Sequence, residues 1–433
     1  MTGLERRTLL GAGLLAGAGA ALAGCTAGTP APKPPAFDPG DWASVRAQFA
    51  LDPSVAHFEA FMLASHPAPV RAAVQRHRDG LDASPEYHPD GAVDADANVR
   101  RAAARFLGAS GEQIALTDST TMGLGLLYSG LGLLPGQDVL TTEHDFLATH
   151  ESLRLLGART GAKVRRVALY DDPAKASQDE IVGRLAKAVG PRTRVVAITW
   201  VHSSTGVRLP VRAIADALAE ANRGRAERDR ALLCVDGVHG FGAIADGVDD
   251  LGCDFLATGT HKWLFGPRGT GILYGRTLND LSPTIPSFSG AAFDAWFTGT
   301  APSASGGQLV TPGGYKAFEH RWAVTEAFAF MEAIGPERVQ ERAQELATRL
   351  KRGLAAIPGV RVHTPADPAL SAGLVCCSID GLPPAEAVRR LRAEHALAAS
   401  TTPYRESYLR FGTSMVVTPE QVDQAVKAVA ALV

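Results

Sequence analysis

Short, unbroken apolar stretches alternate with amphipathic ones along most of this 433-residue chain, and that alternation constrains the fold more than any other feature. "TRVVAITWV", "ALLCVDGV", "DFLATG" and "GTGILYG" are continuous in apolar residues, as strands are when both faces of their sheet are covered. "PVRAAVQRHRDGL", "NVRRAAARFLG" and "VRAIADALAEANRG" repeat their apolar positions at helical spacing and predict helices. A chain of this kind makes a mostly parallel sheet with helices on both faces, and ligands gather at the carboxyl ends of its strands. Near residue 322 the texture changes. A long helical stretch broken around Gly335-Pro336, strands such as "GLVCCSID" and a last helix, "TPEQVDQAVKAVAALV", predict a smaller α+β domain over 321–433 after a large α/β domain over 42–320. A hydrophobic share of 46% and a charged share of 20% suit packed cores, and a formal charge of −2 offers no basic face for nucleic acid.

The first 41 residues read differently. Arg6 and Arg7 precede an uncharged run from Thr8 to Gly24, the pattern of a twin-arginine export signal, too short and too rich in Gly and Ala for a membrane span. The run ends in Leu22-Ala23-Gly24-Cys25, which resembles a lipobox. Two outcomes stay open there: acylation of Cys25 as a lipid anchor, or cleavage that discards it. Residues 26–41, "TAGTPAPKPPAFDPGD", lack periodicity and predict a tether, so residues 1–25 are a signal and the expected location is periplasmic or membrane-anchored. Cys234, Cys253, Cys376 and Cys377 show neither metal-ligand spacing nor a disulfide framework and predict buried thiols, with no metal site.

The chemistry-bearing residues fall where strands end. "LLCVDGVHGFG" puts Asp236 just past an apolar run, and the next strand leads into "THKWLFGPRGTG", which carries Lys262 26 residues later. One loop, a short return and one strand fit that interval, so the two charges end side by side at one edge of the sheet. Alone, Asp236 reads equally well as a helix cap or turn residue. Beside a lysine set among glycines and threonines, it points to pyridoxal 5'-phosphate (PLP). That cofactor needs an amine for its aldehyde, a carboxylate to keep its ring nitrogen protonated, and small and hydroxylated residues around its phosphate. The phosphate is expected against "TDSTTMGLG", where a helix starting near Thr121 brings unpaired N–H groups together with the hydroxyls of Thr120 and Thr121. Thr258, Thr260 and His261 are second candidates.

Six pieces, "TDSTTMGL", "EHDFLATH", "HSSTGVRLPV", "DGVHGFG", "THKWLFGPRGTG" and "YLRFGTSMVVTPEQVD", resemble the class V aminotransferases of fold type I over roughly residues 55–433. That family includes cysteine desulfurases, isopenicillin N epimerase and kynureninase. The resemblance implies an α/β fold with a mostly parallel, seven-stranded-type sheet and a smaller α+β C-terminal domain. It implies Lys262 as the aldimine lysine, Asp236 as partner of the pyridine nitrogen and His239 as partner of the cofactor's phenolic oxygen. Ser203 falls where relatives carry an asparagine for the same oxygen. His144 would stack on the cofactor face opposite the lysine and carry a proton there, with Phe146 as the alternative aromatic. Arg410 would grip the substrate's α-carboxylate, with Arg405 as a competitor, and two subunits would form a homodimer.

Two departures matter. Arg321 and Trp322 stand where relatives carry a Gly-Thr pair that reaches a neighbouring subunit's phosphate, and "AASTTPYRESYLR" lacks the cysteine a desulfurase uses. The resemblance therefore implies an exported PLP enzyme acting at the α-carbon of an amino-acid-like substrate, as epimerase or transaminase. The alternatives are a C–S lyase without the usual cysteine and a catalytically silent binding protein. The stretch "SGAAFDAWFTGTAPSASGG" carries no pattern that names a substrate.

Overall fold

The unbroken apolar runs become neighbouring strands of one sheet in the computed structural model, which describes residues 36–84, 86 and 95–433. After a two-residue strand β1 (Ala56–His57) come the seven strands of this sheet: β2 (Ile114–Thr117), β3 (Asp138–Thr142), β4 (Lys163–Val167), β5 (Thr193–Thr199), β6 (Leu232–Asp236), β7 (Phe255–Gly259) and β8 (Gly271–Gly275). Their order is β2-β8-β7-β6-β5-β3-β4. All run parallel except β8, which is antiparallel to both β2 and β7. The segment between Gly259 and Gly271 is too short for a helical crossover, so the chain returns beside β7 in the opposite direction. Every residue of β3, β7 and β8 is buried, which is why these segments need no polar alternation. β4, "KVRRV", lies at the sheet edge, where its charged side chains discourage pairing with another chain.

Four later strands, β9 (Val360–Val362), β10 (Leu374–Ile379), β12 (Ser400–Thr401) and β13 (Leu409–Gly412), make a second, antiparallel sheet in the order β12-β13-β10-β9, while β11 (Leu397–Ala398) pairs with β1. The helical stretch after residue 322 breaks at Gly335, with Val324–Ile334 on one side and Pro336–Ala355 on the other; Pro336 takes the first helical position, where its missing N–H costs nothing. One apolar core runs through both parts, including Phe58, Trp263, Leu374 and Phe411. It brings the β12–β13 region against the large sheet.

The expected signal, Cys25 and the tether through residue 35 lie outside the described residues. Within the last residues of the expected tether, Phe37 stacks on Phe330 at 5.0 Å, and the Asp41 carboxylate caps the helix Trp42–Ala47 by accepting from Ala43 N–H and Ser44 N–H. Among the described residues, no helix is long and apolar enough to cross a membrane.

Candidate active site

β6 and β7 are neighbours, and that adjacency builds the centre of the site. Asp236 ends β6 in register with Ala257 of β7, and Lys262 follows three residues beyond the end of β7. The Asp236 carboxylate is buried; it accepts from Val238 N–H at 3.0 Å and from the Thr149 hydroxyl at 3.4 Å. Burial lifts its pKa to about 7 against the opposing pull of the Val238 N–H, with Asp145 adding to the rise and Lys262 opposing it. Lys262 shifts the other way. Burial, helped by the nearby Arg410 cation, brings its amine down to about 8, and Asp236 partly offsets this. An amine so poised deprotonates close to physiological pH, which a nucleophile or base requires.

The turn holding Lys262 is tightly specified. Phe265 N–H donates to the Lys262 carbonyl at 3.1 Å, and Phe265 sits at φ 58°, a conformation costly for a bulky residue and held here by burial against Phe49, ring to ring at 5.0 Å. Trp263 explains the third letter of the HKW triplet: its indole N–H donates to His239 Nδ1 at 3.1 Å, so the His239 proton resides on Nε2. Burial, then Lys262 and Arg410, push the His239 pKa well down. It is therefore a neutral donor beside the lysine.

Ser203 and Arg410 meet across the two sheets. Arg410 is buried; its Nε–H donates to Ser400 Oγ at 3.1 Å and its Nη1–H to the Ser203 carbonyl at 3.2 Å, while the guanidinium rests over the Phe61 ring at 5.2 Å. Among the described residues no carboxylate forms a salt bridge with it, so a buried cation faces the site without a counter-anion. Arg405, the competitor, is exposed. The Ser203 hydroxyl lies 2.9 Å from the Tyr404 hydroxyl.

His144 lies beyond the end of β3, stacked on Tyr170 at 3.9 Å between centroids and 9° between planes. Its Nε2 accepts from Leu169 N–H at 3.1 Å, and burial together with His202 lowers its pKa to about 3. With the Nε2 lone pair engaged by Leu169 N–H, the ring's own proton sits on Nδ1. What remains is a flat surface suited to stacking.

At the end of β2, Ser119 caps the helix Thr120–Gly130 by accepting from Met122 N–H. Thr120 is buried with its hydroxyl unpartnered, whereas Thr121 is exposed. A Cβ on Gly259 would stand 2.8 Å from the His261 ring and 3.3 Å from Thr120 Oγ1, so glycine there keeps open a gap between these groups. His261 is oriented by Nδ1–H donation to the Thr270 carbonyl at 3.2 Å. Thr260 needs correction as a phosphate contact. Its hydroxyl is fully buried and paired with Thr270 Oγ1, closing the lysine turn. Arg321 pairs with Asp96 at 2.9 Å and approaches Asp118 at 3.8 Å, within the same chain. Sequence reasoning missed Phe61, Thr149, Trp263 and Tyr404; Trp263 and Thr149 lay inside quoted motifs, whereas Phe61 carried no local signal.

The sequence pattern of the aminotransferase class-V family matches residues 78–423. The chain belongs to that family. As a class-V member it is 29% identical over 409 residues to an isopenicillin N epimerase of Streptomyces clavuligerus, covering 90% of this chain and 98% of that one. It is also 29% identical to a probable cysteine desulfurase of Mycolicibacterium paratuberculosis, covering 78% of this chain but 49% of that one. Among solved structures, a C-DES mutant with glycine covalently linked to its PLP cofactor matches with a TM-score of 0.79 at 22% identity, over 89% of this chain and 98% of that one. The class-V chain thus has the fold of fold type I PLP enzymes, a large mostly parallel sheet with a smaller antiparallel one.

Proposed function

We propose that this class-V chain is a PLP-dependent enzyme acting at the α-carbon of an amino-acid-like substrate, as an epimerase or transaminase. The observation that carries the reading is the adjacency of the buried Asp236, at the end of β6, to Lys262, three residues beyond the end of the neighbouring strand β7. The residues fit the group: Lys262 for its aldehyde carbon, Asp236 for its ring nitrogen, His239 Nε2–H for its phenolic oxygen, His144 for a ring face. The unpartnered Thr120 hydroxyl, with the gap at Gly259 and His261 beside it, suits its phosphate. When bound, PLP supplies an electron sink for the pair released as a bond at the α-carbon breaks.

Every other duty falls to the chain itself. Asp236 holds a proton where the ring nitrogen lies, because its burial and its distance from water make it a strong partner for a cation. Arg410, lacking a counter-anion, takes the substrate carboxylate in a two-pronged bond and so fixes the bond to be broken. Lys262 Nζ takes and returns the α-proton. The epimerase relative's 98% coverage supports this class of reaction. Desulfuration draws less support, because Cys234, Cys253, Cys376 and Cys377 are all buried and burial pushes their thiols up. A silent binding role would leave the Asp236–Lys262 pair without purpose. Export by the twin-arginine route, with Cys25 as a lipid anchor, belongs to the same proposal and is supported by the leader motif. So does a homodimer, supported by the exposed aromatics Phe288, Trp296 and Phe297.

The test is chemical. Purified protein is expected to be yellow, and borohydride reduction followed by peptide mass spectrometry should find the cofactor on Lys262. Lys262→Ala should remove the colour and the adduct; an adduct on another lysine would overturn the assignment.

A further inference from the structure

We propose that Tyr404 is a second proton-transferring residue of the site, presenting its hydroxyl to the substrate α-carbon across Asp236 from Lys262; this rests on the PLP reading above. Tyr404 lies in the loop between β12 and β13, where its backbone N–H donates to the Thr402 carbonyl at 3.0 Å. From there its side chain crosses to the large sheet. Its hydroxyl is 2.9 Å from Ser203 Oγ, beyond the end of β5, and its ring meets Phe146, beyond the end of β3, at 5.9 Å and 61°. Lys262 follows β7. Because the strands run β7-β6-β5-β3, the loop that carries Lys262 follows the neighbour of β6 on one side, and Ser203, the phenol's partner, follows its neighbour on the other.

His144, His202 and Tyr170 on the β5–β3 side each hold a hydrogen bond within the protein, and the one unpartnered nitrogen of His202, Nε2, is fully buried. His144 Nε2 accepts from Leu169 N–H, His202 Nδ1 pairs with the Tyr170 hydroxyl at 2.8 Å, and Tyr170 is buried with a further contact to Thr205 Oγ1 at 3.2 Å. Tyr404 is only half-buried, so a substrate held by Arg410 can reach it. Burial raises the phenol's pKa, so at neutral pH it keeps its proton to give; Arg410 favours the phenolate once that proton has gone.

The step balances without a co-reactant. The α C–H bond breaks with its proton going to the neutral Lys262 amine. The Tyr404 O–H bond breaks as its proton forms the new C–H bond from the other side, using the electron pair left at that carbon. The phenolate then takes a proton from water, and the Lys262 ammonium returns one to water. The outcome is inversion, with one solvent hydrogen incorporated.

The experiment compares wild type with Tyr404→Phe as cofactor-loaded full chains, incubated with a panel of L-amino acids in deuterium oxide. Deuterium at the α-position is read by NMR and inversion by chiral chromatography. Tyr404→Phe is expected to keep the cofactor absorbance and the wash-in of deuterium into the L-isomer while losing inversion by about 100-fold or more. A structure of the loaded protein with an unreactive α-methyl amino acid should place the Tyr404 hydroxyl about 3.5 Å from the α-carbon. Undiminished inversion, an equal fall in wash-in and inversion, wild type that exchanges without inverting, or a hydroxyl turned away in that complex would each overturn the proposal. Wild type without any cofactor band would instead bring down the PLP reading, and Tyr404's role with it.

Discussion

Asp236 and Arg410 show how single residues acquire chemistry from their surroundings. In the cofactor-free protein the Asp236 carboxyl rises from 3.8 to about 7 through burial. Between those values the folded chain keeps a proton that the unfolded chain has lost, so stability falls as pH rises; the whole cost is present above about 7 and none remains below the ordinary value. Asp236→Asn should therefore stabilise the cofactor-free protein at pH 8 by on the order of 2–4 kcal/mol and give no gain at pH 4, as measured by urea denaturation. The same variant should lose activity, because a neutral amide holds no proton at the ring nitrogen. Arg410 is the complementary case, a buried cation prepared for an anion the chain does not supply. Arg410→Lys keeps the charge but loses the planar fork, and should raise KM for an amino-acid substrate by roughly 10- to 100-fold while the cofactor stays bound. Equal KM values in steady-state kinetics would remove Arg410 from substrate binding.

At the scale of elements, the site is a set of strand ends locked by close contacts between the two sheets. β13 carries Arg410 and ends at Gly412, whose absent Cβ leaves room for Phe61: a methyl there would stand 2.1 Å from the ring. Phe61 in turn stacks on Trp263 at 5.2 Å and supports Arg410 from below. Gly412→Ala should thus cost about 1–3 kcal/mol of stability, read by denaturation, and raise KM as Phe61 is displaced. A stability loss with unchanged KM would show that Phe61 packs without positioning the arginine. The strands themselves were legible as runs of unbroken apolar residues because both sheet faces are covered. β4 was not legible, since "KVRRV" sits at an edge and follows the needs of solvent and negative charge at Asp138, to which Arg165 pairs at 3.2 Å. The helix at Thr120 was readable from its Ser-Thr start, but the exposure of Thr121 was not, because that depends on which way the helix faces once packed.

For the whole molecule, the surface over residues 281–315 holds a single charged side chain, Asp294, and leaves Trp296 and Phe297 74% and 73% exposed. A water-soluble chain rarely presents so much aromatic surface alone. Phe297→Glu should convert a homodimer to monomer in sedimentation velocity at micromolar concentration, and a monomeric wild type would remove the dimer from the proposal. The class-V fold, the Asp236–Lys262 pair and the arginine of the last strand were all determined by the sequence itself, because each rests on a local motif placed at a predictable strand end. Only the tertiary structure decided that His144 accepts at Nε2 from Leu169 N–H, that Thr260 closes its own turn, and that Phe61 and Tyr404 reach the neighbourhood of Arg410 and Ser203. Those outcomes depend on contacts between segments far apart in the chain, and periodicity along a sequence carries no information about which distant side chain will occupy a given space.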